Sequence, residues 1–267
     1  MTKVALLLAL LLASSASCVS AASWFWALGG GVDPTTIPTS EGLTAWAYTY
    51  YDANAYWESI TLSDNDTALR LVDNSTTKKV RWDTTADGIR DDVSSGFTLA
   101  FRIKGESISG VAPGTPINIM QFANKLAGIS TKNKIAIGIV DNGGQMCLYN
   151  QDRSAIIGRI DDGWHTFWSK HFVDNDGKMH FTIYWDGVQV DDYIRTATTT
   201  TGAKFGIDSL PGLAIYQLDY LAYSLDGAWN PDDLPIPTAP PIPEPISLTT
   251  LMVGVGSVCL LNRRRVR

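Results

Sequence analysis

Hydrophobic side chains recur at every second position through the middle of this chain, and any fold must satisfy that period. Phe97, Leu99, Phe101 and Ile103 alternate with Thr98, Ala100, Arg102 and Lys104. Ile135, Ile137 and Ile139 alternate with Ala136 and Gly138, and Met179, Phe181, Ile183 and Trp185 with His180, Thr182 and Tyr184. A β-strand points successive side chains to opposite faces, so each run predicts a strand with one buried face. Ala214–Ser224 predicts another long strand. Shorter ones are expected at Ala45–Tyr51, Ala68–Val72, Val80–Trp82, Ile117–Phe122, Met146–Asn150, Trp164–Phe172, Val188–Tyr193 and Lys204–Ile207. Between them lie Asp141-Asn142-Gly143-Gly144, Asp161-Asp162-Gly163, Asp174-Asn175-Asp176-Gly177 and Asp186-Gly187, rich in residues that tolerate positive φ. Short strands joined by tight turns, with no amphipathic helix among them, predict an all-β antiparallel sandwich or barrel.

Composition narrows the partners. The formal net charge of −6 includes the arginines at the C-terminus, so the body of the chain is more acidic still. That excludes a basic nucleic-acid surface. Of the three cysteines, Cys18 and Cys259 lie in terminal segments and Cys147 is alone in the body, which leaves no pair for a disulfide within the domain. Stability must come from packing.

The second half carries a more specific order. Asp162-Gly163-Trp164-His165-Thr166-Phe167 leads to Asp176-Gly177-Lys178, then Ile183-Tyr184-Trp185-Asp186-Gly187-Val188, Phe205-Gly206 and Leu218-Asp219-Tyr220-Leu221-Ala222-Tyr223. Over Asp161–Trp229 this resembles the laminin-G-like or concanavalin A-like jelly roll. The resemblance implies an antiparallel jelly-roll β-sandwich, with Trp164 and Trp185 filling the core. Fold alone does not fix function.

The termini read independently. Lys3 and the apolar run Val4–Ala13, with Ser20-Ala21-Ala22 before Ser23, form a signal peptide over 1–22. At the other end, Pro243-Glu244-Pro245 precedes the uncharged run Ile246–Leu261 and the arginines Arg263, Arg264 and Arg265. As a helix the run spans roughly 24 Å, slightly short of a hydrocarbon core of about 30 Å that snorkelling arginines can complete. The arginines place the C-terminus in the cytoplasm and the preceding chain outside. This order resembles the PEP-CTERM sorting signal of Gram-negative bacteria. The resemblance implies an exosortase-type processing enzyme as partner, membrane anchoring by the C-terminal helix before processing, and delivery to the cell surface or extracellular matrix. Residues 23–230 are then the sandwich domain. Residues 231–242 are a Pro-rich linker that favours extended polyproline II, and 243–267 the sorting signal.

Within the domain three chemistries can be weighed. Retaining glycosidases on related folds use two carboxylates on one strand. The body has only Glu41, Glu58 and Glu106, on separate segments, so a non-enzymatic domain is expected. Asp64, Asp66, Asp174 and Asp176 lie in acidic turns that either hold Ca²⁺, which takes six to eight oxygens, or simply close hairpins. No other cofactor is expected. Trp46, Tyr48 and Tyr50 share one strand face and form either a stacking platform for sugar rings or a cross-strand core cluster. His165 reads as a strand residue beside a core Trp, and His171 and His180 as solvated residues flanking a hairpin. The leading expectation is a lectin-like surface or matrix protein that contacts extracellular polysaccharide. A purely structural or protein-binding matrix component is the alternative, with a carbohydrate-active hydrolase behind it. For the tail, Glu244→Ala or loss of the arginine cluster should leave unprocessed protein in the membrane on immunoblots of membrane fractions. Normal processing of either variant would contradict the sorting assignment.

Overall fold

The computed structural model describes residues 24–29, 33–36, 47–49, 54–63, 66–75, 79–83, 91–93, 96–126, 133–194, 203–208 and 212–232. All belong to the first of two units, Met1–Pro235 and Ile236–Arg267. The signal-peptide and sorting-signal assignments lie outside the described residues. Among the described residues no helix is long and apolar enough to cross a membrane.

The described strands are β1 (Trp24–Gly29), β2 (Ala47–Thr49), β3 (Ala55–Thr61), β4 (Thr67–Asp73), β5 (Val80–Asp83), β6 (Asp91–Val93), β7 (Gly96–Ser109), β8 (Ile117–Leu126), β9 (Asn133–Asn142), β10 (Gln145–Asn150), β11 (Ala155–Arg159), β12 (His165–Val173), β13 (Met179–Trp185), β14 (Val188–Ile194), β15 (Ala203–Ile207) and β16 (Leu213–Ser224). A single 3₁₀ turn, Pro34–Thr36, accompanies them. They form two sheets. The first runs β14-β13-β12-β7-β16-β4-β3, with β1 also paired to β16. The second runs β11-β10-β9-β8-β15-β5-β2, with β6 pairing β8 in parallel. Every other pairing is antiparallel among the described strands, so the molecule is an all-β sandwich of two antiparallel sheets.

Alternation decides what each face does. From β7, Phe97, Leu99, Phe101 and Ile103 enter the core cluster, as do Phe167 from β12 and Phe181 and Ile183 from β13. The second sheet contributes Trp82, Phe122, Ile135, Ile137, Ile139, Leu148 and Phe205 to the same cluster. Phe101 stacks on Phe167 at 4.5 Å and Trp82 on Phe205 at 5.0 Å, so aromatic pairs lock neighbouring strands. The hairpin turns follow their chemistry. Gly143 and Gly144 between β9 and β10, and Asp186 and Gly187 between β13 and β14, all have positive φ. Consecutive positive φ values match the right-handed strand twist.

Two core assignments are corrected. Trp185 packs only partly buried against the core, and Trp164 lies just before β12 with Arg102 over its ring, outside the core cluster. The large buried indoles are Trp82 and Trp168 instead. His171 is fully buried rather than solvated, set between Phe97 and Phe181. It faces inward because it shares the parity of Phe167 along β12.

One close approach joins the sheets at their edge. A Cβ at Gly158 of β11 would stand 2.3 Å from the Trp185 ring of β13. Gly158→Ala should therefore cost about 1–3 kcal/mol, the range for overpacking, read as a lowered urea midpoint with unchanged slope. An unaltered midpoint would mean that the indole gives way freely.

Candidate functional site

The outward positions of the first sheet form a row of charged and aromatic groups. In β7 these are Thr98, Ala100, Arg102, Lys104 and Glu106. Across the ladder, Gln217 of β16 pairs with Lys104 on one side and Arg70 of β4 on the other, and Arg70 pairs with Glu58 of β3. The Arg70 guanidinium forks between two carboxylates. Its Nε donates to Glu106 Oε1 at 2.7 Å, its Nη2 to Glu106 Oε2 at 2.7 Å, and its Nη1 to Glu58 Oε1 at 2.6 Å. Gln217 Nε2 adds a donor to Glu106 Oε1 at 2.6 Å. The Arg70 hydrogen bond outweighs the effect of burial and holds the Glu106 carboxyl below its ordinary range. Strand-by-strand reading could not find this cluster, because its two glutamates come together only through sheet pairing.

Further along, Arg102 Nη1 donates to the buried Asp219 at 2.8 Å and sits 5.1 Å over the half-buried Trp164 ring. Tyr220 lies opposite Arg102 in the ladder. Burial pushes its hydroxyl up to about 12. Beyond Ala100 the chain end of the domain crosses this face. Thr98 Oγ1 donates to Gly227 O at 2.8 Å and accepts from Trp229 N at 2.9 Å. Trp168 Nε1 donates to Trp229 O, while Lys170 Nζ and Tyr184 Oη both donate to Asn230 Oδ1. The Trp168 and Tyr184 rings are thereby covered, leaving Trp164 and Trp229 as the half-buried indoles of the row.

The β12–β14 side of this sheet carries two histidine clamps. His165 Nδ1 meets Asp186 Oδ2 at 2.7 Å and Nε2 meets Asp162 Oδ1 at 2.9 Å, with the ring stacked 5.0 Å from Trp185. His180 bridges Asp174 at 2.8 Å and Asp192 at 3.5 Å. Burial pulls the His165 pKa down, but its two carboxylate partners outweigh burial and raise it above 6.5. Burial alone lowers the pKa of His171 to about 3. Sequence reading missed the clamps, since Asp162 and Asp186 reach one imidazole from two different turns.

The residues singled out by sequence fall elsewhere. Trp46, Tyr50 and Asp64 lie outside the described residues, and so do Pro243, Glu244, Pro245, Arg263, Arg264 and Arg265. Tyr48 lies on β2, in register with Trp82. Asp66 Oδ1 accepts from Thr67 N. Asp174 Oδ1 accepts the backbone N–H of Asp176 and of Lys178, and Oδ2 meets His180. Among the described residues no three His, Cys, Asp or Glu side chains are grouped to hold a metal. Cys147 is buried and unpaired, and burial pushes its thiol up, which makes it a poor nucleophile.

No protein-family model matches the chain, and no curated protein does. Solved structures match it in fold. A carbohydrate esterase of the Shiga toxin-encoding bacteriophage phi24B aligns at TM-score 0.51 and 14% identity, covering 67% of this chain and 89% of that one. An endo-β-1,4-glucuronan lyase from the fungus Trichoderma reesei aligns at 0.45 and 15%, covering 70% and 97%. A structure of botulinum neurotoxin type C, whose cell entry depends on two ganglioside molecules, aligns at 0.44 and 13%, covering 70% and 45%. The expectation of a non-enzymatic domain is corrected here. A carbohydrate esterase is built on this fold, and Glu58 and Glu106 share one guanidinium although they share no strand.

A histidine held by carboxylates stabilises the fold below its unfolded pKa, and that contribution fades as pH rises through the raised folded value. His165→Gln should therefore lower the urea midpoint more at about pH 5.5 than at about pH 8.5. An equal loss at both would mean that the clamp is not charged in the folded state.

Proposed function

We propose that this chain is an exported, exosortase-sorted cell-surface or matrix protein whose jelly-roll domain contacts extracellular polysaccharide through the outer face of its first sheet. The carrying observation is the row Glu58, Arg70, Gln217, Glu106, Lys104, Arg102 and Trp164 on one face. Donors and acceptors lie side by side there, next to an indole. A polysaccharide chain needs such a surface, with hydroxyls gripped by charged and amide groups and C–H faces laid on rings. The fold shared with a phage carbohydrate esterase supports the ligand class, and the terminal signals support the extracytoplasmic location. The linker 231–242 would hold the domain off the membrane and offer Pro243-Glu244-Pro245 to the processing enzyme.

A second reading, carbohydrate-active catalysis, is favoured by the paired Glu58 and Glu106 carboxylates. Ionised Glu106 suits a nucleophile or a stabiliser of developing positive charge.

Full-length protein in a zwitterionic detergent should retain the producing cell's exopolysaccharide in a saturable pull-down. Trp164→Ala and Lys104→Ala should each weaken retention by about tenfold, with unfolding temperature little changed. Retention unchanged in both variants would remove this face from the account. Release of sugar ends that stops in Glu106→Gln would establish the catalytic reading.

A further inference from the structure

At the β11–β14 margin of the sandwich, the two edge strands flank a cavity of about 160 Å³. Asn150, Arg153, Ile156, Ile157, Val190 and Asp191 line it. The volume equals the share of about five liquid waters, room for one six-membered ring and not for an oligosaccharide. Three observations set this cavity apart from a packing flaw.

The first is Asn150. It is fully buried, its Oδ1 accepts the Asp152 N–H, and its Nδ2 meets no acceptor on the protein. Buried amide groups almost always find partners, and a small turn of this side chain at the cavity wall would bring its donor to an acceptor carried by a ligand. The second is Arg153, whose closest carboxylate among the described residues is Asp191 at 3.7 Å, too long for a tight pair. Its guanidinium rests 5.4 Å over the Tyr193 ring, which holds it at the cavity without consuming its donors. The third is the rim. All the large hydrophobic side chains that stand exposed among the described residues, Ile156, Val188, Val190 and Ile194, lie on these two edge strands. Two of them, Ile156 and Val190, are cavity walls.

The chemistry that meets all three is compact. It presents adjacent oxygens to the Asn150 and Arg153 donors, a hydroxyl to the Asp191 carboxylate, and a C–H surface to the aliphatic walls. We infer that this cavity is a binding site for a single sugar unit, separate from the sheet face and fitted to a chain end or a free monosaccharide. The assignment of sugar as ligand class rests on the polysaccharide reading above, and the place rests on the cavity. Bound there, a chain end would lie at the sandwich edge while the sheet face holds the polymer's length.

Saturation-transfer NMR titrations of the full-length chain, in a detergent without sugar groups, test this. The probes are methyl glucoside, methyl galactoside, N-acetylglucosamine and glucuronate, with glycerol and isobutyrate as controls. At least one sugar should bind saturably. Binding should weaken at least about tenfold in Asn150→Asp and in Arg153→Gln, which remove donors. Ile156→Trp, at an exposed position that narrows the mouth, should abolish it without changing the unfolding temperature. Absence of saturable sugar binding would overturn the inference, as would wild-type binding in Arg153→Gln and Ile156→Trp, or controls that compete as well as sugars. Retention of polymer without any monosaccharide signal overturns this site alone. A monosaccharide signal without polymer retention overturns the sheet-face reading alone.

Discussion

The pairing of β7 with β16 carries the rest of the structure. Residues Thr98–Ser109 and Leu213–Ser224 run antiparallel at the centre of the first sheet, with two irregularities in register. One side of this ribbon supplies Phe97, Leu99, Phe101, Ile103, Tyr216, Leu218, Leu221 and Tyr223 to the shared core. The other side supplies Arg102, Lys104, Glu106, Gln217 and Tyr220 to the charged face. Because side-chain period along a strand is two, core and face are set together, and a one-residue slip would exchange them. Strand β12 is added to the same ribbon by its register with β7, and its end brings Trp164 beside Arg102.

Magnitudes separate the parts that hold the fold from those available for binding. Apolar burial contributes roughly 25 cal/mol per Å², whereas an exposed ion pair contributes about 0–1 kcal/mol. The aromatic stacks between strands therefore hold the sandwich, and the partly buried Arg70 fork adds a smaller share. Its role is geometric. Each carboxylate, held by the guanidinium, is fixed in direction before anything arrives, which lowers the ordering cost of binding. The outer face of the second sheet is more closed. There Asp208 is held by Lys79, Lys204 and Arg81, and Gly138 lies against the Gln151 side chain and the Ile117 carbonyl.

Strand positions were legible because periodicity reports directly on burial. The predicted Val188–Tyr193 is β14 at Val188–Ile194, and Ala214–Ser224 is β16 at Leu213–Ser224. Strands without a long alternating signature were not read: β3 carries Tyr-Trp-Glu-Ser-Ile, β6 is three residues, and β11 is a short edge. The face was not legible for another reason. Glu58, Arg70, Glu106 and Gln217 lie far apart in the chain and meet only through the order β3-β4-β16-β7. His171 misled because a polar residue at an inward position breaks the pattern that locates it. Full burial disfavours the charged ring and lowers its pKa, so the core carries it neutral.

The central claim is that the outer face of the first sheet meets polysaccharide, and hydrogen-exchange mass spectrometry of the full-length protein with and without exopolysaccharide tests it most directly. The account predicts added protection in peptides from β4, β7, β16 and the Trp164 turn, with the second sheet unchanged outside β10 and β11, which border the edge cavity. Protection confined to the second sheet, or none at a saturating dose, would contradict it.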